Sequence, residues 1–277
     1  MNYYTINAYS ASEIRTWFEC KKLYDKRYID RQEDEETKAM KSGTIIHAAI
    51  LENSFFKENY VFNAGIKLNT KEGKAWKAAY PDKEVLSKED TDIVQNITRA
   101  MQDYKSEYYP LNTAENLFEF LKKYATKEQS IYSEHFELAP DLVRAVKIKP
   151  DAYCVVDDTV YIFDLKSMAT GDFNYYQNVV ERKFLDVQAA WYCHILKTLL
   201  GVKNAVFFNI FVEKKGANRI RVMPYNPEYI SSVWGYCVEG VREIEAHKIN
   251  GITELKQARY NGDAPEFEGR NENRWFR

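Results

Sequence analysis

Pro150-Asp151-Ala152-Tyr153-Cys154-Val155-Val156-Asp157-Asp158-Thr159-Val160-Tyr161-Ile162-Phe163-Asp164-Leu165-Lys166 is the stretch on which the reading of this chain turns. Residues 152–156 and 159–164 are two runs rich in β-branched and aromatic side chains, joined by a pair of turn-forming aspartates, which predicts a β-hairpin. A two-residue loop at Asp157-Asp158 pairs 156 with 159, 155 with 160 and, continued down the ladder, 151 with 164. Asp151 and Asp164 then oppose each other with Cβ atoms roughly 5 Å apart. Like charges so placed are destabilising unless a cation sits between them, and a hard divalent ion takes carboxylate oxygens in that arrangement. A turn displaced by one residue pairs 151 with 166 instead and still keeps the groups close. Lys166, two residues beyond Asp164, shares its face of the strand, while Phe163 and Leu165 point to the other, core face. A lysine beside a metal-bound carboxylate can orient or deprotonate an attacking water and offset developing negative charge.

Working outward, strands are expected at 131–138 and 143–149 before the hairpin. After it come a long helix at 176–200, strands at 204–212 and 218–223 around the turn Lys214–Asn218, and a helix at 227–247. The first 125 residues read as mainly helical. Ser10 and Glu13 have capping-box spacing and open a helix with Ile14, Trp17, Phe18, Tyr24 and Tyr28 on one side and Arg15, Lys22 and Lys26 on another. An acidic loop at Glu33–Glu36, an apolar helix from Gly43 to Leu51, a linker at 60–72 and helices near 71–80, 87–105 and 112–125 follow. The fold class expected is α/β, a mixed central sheet flanked by helices. It forms one domain, with a helical part at 1–125, a core at 126–250 and a tail at 251–277 that is loosely ordered from 258.

A chain of 277 residues suffices for one substantial domain, and 45% hydrophobic with 29% charged residues is ordinary for a globular protein. Its aromatics, 21 Tyr, 15 Phe and 5 Trp, serve a core first and base stacking second. A net charge of −2 gives no global signature of a nucleic-acid binder, though a local basic channel needs none. The four cysteines (Cys20, Cys154, Cys193 and Cys237) form no CxxC pair and read as free thiols, neither a disulfide framework nor a zinc site. With no leader and no run of 18 apolar residues, a cytoplasmic protein is expected.

Pro150-Asp151 followed by Asp164-Leu165-Lys166 resembles the signature of the PD-(D/E)XK nuclease superfamily, whose core is restriction-endonuclease-like. Further motifs resemble its RecB-like branch: Ser10-Ala-Ser12-Glu-Ile with Trp17 to Lys21, Gly43-Thr-Ile-Ile-His47, Glu134 on the preceding strand, and Gln188-Ala-Ala-Trp-Tyr192. Their order over residues 8–250, with Glu72-Gly-Lys-Ala-Trp and Lys166-Ser-Met-Ala-Thr, is most similar to RecE-type exodeoxyribonucleases (exodeoxyribonuclease VIII) of phages and prophages.

The resemblance implies that His47, Asp151, Asp164 and the Leu165 carbonyl hold Mg²⁺, with Mn²⁺ a substitute, and that Glu134 serves a second metal or its water shell. It implies that Lys166 positions the water for two-metal hydrolysis. It also implies that Gln188 and Tyr192 order the site, and that Ser10, Ser12, Arg15, Lys22 and Lys26 meet DNA. Glu137 competes with Glu134, since residues three apart on a strand face opposite ways; Asp141 lies near a turn, and His135 and His194 read as structural. Plainer readings stand beside these: His47 as a core histidine, Arg15, Lys22 and Lys26 as a solvated face. Cys193 and Cys237 are not clustered, so no iron–sulfur cluster is expected. The activity implied is digestion of linear double-stranded DNA ends, 5′ to 3′, by a homo-oligomeric ring that feeds a RecT-like annealing protein in single-strand-annealing recombination. A RecB-like single-strand nuclease, an endonuclease of the same fold, and a non-catalytic DNA-binding module are the alternatives.

Overall fold

The structure, a computed structural model, describes residues 3–63, 65–169 and 173–250; the tail from 251 and its expected disorder lie outside the described residues. Helices fill the N-terminal part: α1 (Ala11–Glu19), α2 (Lys21–Tyr24), α3 (Lys38–Leu51), α4 (Asn53–Asn59), α5 (Lys71–Ala78), α6 (Lys88–Asp103) and α7 (Leu117–Tyr124). Two short strands, β1 (Tyr60–Val61) and β2 (Glu84–Val85), pair in parallel between them. Side chains satisfy the first free N–H groups of these helices: Ser10 accepts from Glu13 N, Thr37 from Met40 N, Thr70 from Gly73 N, Ser87 from Asp90 N and Asn116 from Glu119 N. The segment expected as one helix through Tyr28 is broken. Cys20 is extended (φ −167°), and α2 runs on into a π-helical turn at Asp25–Ile29. The 43–51 helix starts earlier than expected, at Lys38.

The C-terminal part carries β3 (Thr126–Lys127), β4 (Ile131–Ala139), β5 (Leu142–Ile148), β6 (Ala152–Val156), β7 (Thr159–Met168), α8 (Phe173–Arg182), α9 (Leu185–Leu200), β8 (Asn204–Glu213), β9 (Ile220–Pro224) and α10 (Pro227–Asn250). The central sheet has five strands in the order β3-β6-β7-β8-β9, parallel only between β7 and β8. The hairpin register is the one expected: 156 pairs with 159, 155 with 160, 154 with 161, 153 with 162 and 152 with 163. The turn succeeds without glycine because Asp157 itself adopts the left-handed conformation, φ 52°, which aspartate enters more readily than most residues. β4 and β5 form a separate antiparallel pair. It is tied to the N-terminus through a parallel bridge in which Tyr9 N donates to Ala145 O and Lys147 N donates to Tyr9 O.

β7 is covered on both faces, so its alternation sorts side chains between two cores rather than between core and water. Val160, Ile162 and Met168 join Phe207 and Phe211 under α1, α9 and α10, with Trp17, Trp191 and Val241. Tyr161, Phe163 and Leu165 join Phe208, Ile210 and Val212 under α3, α6 and α7, with Ile46, Ile97 and Phe120. The Asp164 face, opposite the expected core face, is therefore also buried. The expected single helix at 176–200 is instead two, α8 and α9, separated at Phe184, which takes a left-handed backbone, φ 48°.

His194 on α9 stacks on Trp234 of α10, ring centroids 3.7 Å apart and planes 12° from parallel. Burial pulls its pKa from 6.5 to about 4. The unfolded chain therefore binds the extra proton first, and this contribution to stability is complete above pH 6.5 and falls away as pH drops towards 4. His194→Phe is expected to retain more of its neutral-pH urea midpoint at pH 4.5 than the parent chain does. Equal losses in the two proteins would refute the assignment.

Candidate active site and metal centre

Asp164 is the most enclosed charged group of the site, 1% exposed near the middle of β7. Gln188 Nε2 of α9 donates to its Oδ1 at 2.8 Å. Its Oδ2 is an ion-pair partner of Lys166 Nζ at 2.5 Å but receives no hydrogen bond of acceptable geometry. An anionic oxygen that far from water is costly unless a cation matches it, and the Lys166 ammonium does so here. Gln188 is oriented in turn by Arg15 of α1, whose Nη1 donates to Gln188 Oε1 at 2.9 Å and whose Nε donates to the Lys183 carbonyl at 2.7 Å. Burial lowers the pKa of the Arg15 guanidinium, and Asp164 opposes that effect.

Asp151 lies just before β6, one residue beyond the last ladder pair, Ala152 with Phe163. Its Oδ2 accepts from the Leu165 backbone N–H at 2.7 Å, so the side chain crosses to the partner strand. The carboxyl is 17% exposed. Burial, then the Asp164 charge, raises its pKa from 3.8 to about 6, with His47 and Lys166 acting the other way. His47, from α3, reaches the same strand: its Nε2 is 2.7 Å from the Leu165 carbonyl. With Nε2 donating there, the Nδ1 lone pair is turned toward Asp151 Oδ2, 3.6 Å away. Gly43, one helical turn earlier, lies beside β7; even a Cβ there would stand only 3.5 Å from Ser167 Oγ.

The third potential ligand is one the sequence reading missed. Glu128 follows the two-residue edge strand β3, donates its backbone N–H to the Asp151 carbonyl, and has φ 52°. His47, Glu128 and Asp151 each bring one ligand atom within 4.8 Å of the others. Imidazole with two carboxylates is a donor set suited to Mg²⁺ or Mn²⁺. The residues present therefore fit a divalent ion.

Not every expected residue converges here. Glu134 is exposed on β4, in the separate two-stranded sheet, at the bulge between Ser133 and Phe136; it is not in the ligand group. Glu137 is exposed on the same strand, and Asp141 pairs with Arg242 at 2.6 Å. The basic face is not one face: Arg15 is committed to Gln188, Lys22 is exposed, and Lys26 stands 3.7 Å from Asp34. The break at Cys20 and the π turn undo the helical phase that would have aligned them. Ser10 is spent on the α1 cap, and Ser12 is exposed. Tyr192 is buried, donates to the Lys149 carbonyl at 3.2 Å, and has its pKa raised by burial, so it fixes the backbone before Pro150-Asp151. The Leu165 carbonyl, expected to face a metal, is engaged by His47. The group near 128 gave little signal in sequence, because two residues are too few for a strand period.

The solved structure of a protein described as "Putative exonuclease", from Eubacterium rectale, superposes with a TM-score of 0.60 at 18% identity, covering 91% of this chain and 87% of that one. A second structure, SSO0001, is 13% identical over 43% of this chain and 50% of that one, with a TM-score of 0.27, too low to carry an argument. No curated protein matches the chain. No described helix is long and apolar enough to cross a membrane. Residues 10–248 match the family described as "PDDEXK-like domain of unknown function (DUF3799)", and the chain belongs to that PDDEXK-like family.

Proposed function

We propose that this protein is a metal-dependent exodeoxyribonuclease that degrades linear double-stranded DNA from 5′ ends for single-strand-annealing recombination. The observation that carries the reading is the pairing of an orphaned, buried Asp164 oxygen with Lys166, beside Asp151 and His47. Family membership and the likeness to the Eubacterium rectale protein support nuclease chemistry. Polarity, a ring-shaped homo-oligomer and a RecT-like annealing partner rest on the motif order from Ser10 to Tyr192.

When bound, Mg²⁺ or Mn²⁺ supplies Lewis acidity and positive charge to the phosphodiester. The chain's own residues do the rest. Leu165 contributes its N–H to Asp151 and its carbonyl to His47, so one residue of the strand sets both groups. Gln188 holds Asp164 by one oxygen and leaves the other facing Lys166. The Lys166 ammonium is placed to orient a water and to offset charge on the phosphate oxygens. Asp164→Asn and Lys166→Ala are each expected to lower nucleotide release from linear duplex by about 10²-fold or more, with the circular dichroism spectrum unchanged. A covalently closed circle should survive; if it is cut as fast as linear DNA, the endonuclease alternative replaces this reading.

Arg15→Met is expected to lower kcat with little change in KM for DNA, since Arg15 acts through Gln188 on Asp164. A rise in KM alone would instead make it a phosphate contact. Asp151 has a folded pKa raised from 3.8 to about 6, so in the metal-free protein the folded state binds the proton first. That contribution to stability is complete below pH 3.8 and is lost as pH rises through 6. Metal-free Asp151→Asn should therefore melt higher than the parent at pH 7.5 while losing the stabilisation by Mg²⁺. A lower Tm for metal-free Asp151→Asn at pH 7.5 would contradict this.

A further inference from the structure

Lys149, immediately before Pro150-Asp151, has no part in the mechanism above. Its ammonium lies 2.5 Å from Glu128 Oε2, with the two side chains 28% and 15% exposed. Glu128 is thus claimed twice: by a lysine of its own chain, and as one of three groups whose ligand atoms converge within 4.8 Å. Glu52, at the end of α3, adds a second carboxylate; burial and then the Glu128 charge raise its pKa. Tyr192 anchors the Lys149 carbonyl, which limits how far the lysine backbone can move aside. Two hard cations cannot share one half-buried carboxylate without strong repulsion at these separations.

We propose that Lys149 is a resident counter-cation that competes with a divalent ion for the Glu128 carboxylate, so that Glu128 joins His47 and Asp151 in holding the ion only when this ammonium is displaced. The inference rests on the metal site of the nuclease reading but on nothing about DNA. The Glu128 carboxylate, the third group beside His47 and Asp151, is already neutralised in the folded chain.

The test counts Mn²⁺ on the full chain, without DNA, from the electron paramagnetic resonance signal of the free ion. Lys149→Met is expected to bind Mn²⁺ at least about tenfold more tightly than the parent does. Adding Glu128→Gln to Lys149→Met should abolish the gain. If Lys149→Met does not give the parent circular dichroism spectrum, Lys149→Gln takes its place. The proposal is overturned if the parent binds Mn²⁺ as tightly as the variant, or if the gain persists without Glu128. A chain that binds one Mn²⁺ yet leaves linear DNA intact would refute the nuclease reading alone. A chain that degrades DNA but shows no Lys149 effect would refute this inference alone.

Discussion

A carboxylate sealed inside the sheet is the constraint around which the rest of the site is arranged. Asp164 is 1% exposed, and a charge in that position has to be matched on every side or neutralised. Lys166 supplies the charge, Gln188 one hydrogen bond, and Arg15 orients the Gln188 amide that gives it. The chain thus draws α1 and α9 onto one strand through polar contacts as well as through Trp17, Trp191 and Val187. On the opposite face of β7 the apolar contacts of α3 bring His47 to the Leu165 carbonyl. The groups of the candidate site are therefore supported from both layers that cover the sheet, and the strand's peptide groups are what hold them in register.

The hairpin was legible because strand alternation and turn length together leave little freedom. Once Asp157-Asp158 forms the turn, every pair down to 152 and 163 follows, and the Asp151 carboxyl just beyond them reaches the Leu165 N–H. His47, Gln188 and Tyr192 were placed by motif order, and the structure brings them to the same neighbourhood through Leu165, Asp164 and Lys149.

What was not legible depends on breaks in regular structure. Glu134 looked right by its place on a strand before Asp151, but that strand belongs to a separate hairpin. Glu128 is delivered instead by a left-handed residue after two paired ones, a combination without a periodic trace. Arg15, Lys22 and Lys26 align only on an unbroken helix, and the extended Cys20 followed by a π turn removes that premise. Phe184 splits the long C-terminal helix in the same way, by a backbone conformation that a bulky residue seldom adopts.

The turn at Glu128 has a second effect, on solubility. β3 forms one border of the five-stranded sheet and is only Thr126-Lys127 long. An open border with more paired-length backbone would be a template onto which another chain's strand could zip. By turning into the left-handed region directly after Lys127, the backbone stops presenting ladder groups at that border and sends a charged side chain inward instead. The residue that completes the ligand group also blunts the sheet against edge-to-edge aggregation, so substituting it is expected to matter for the protein's behaviour in concentrated solution as well as for its chemistry.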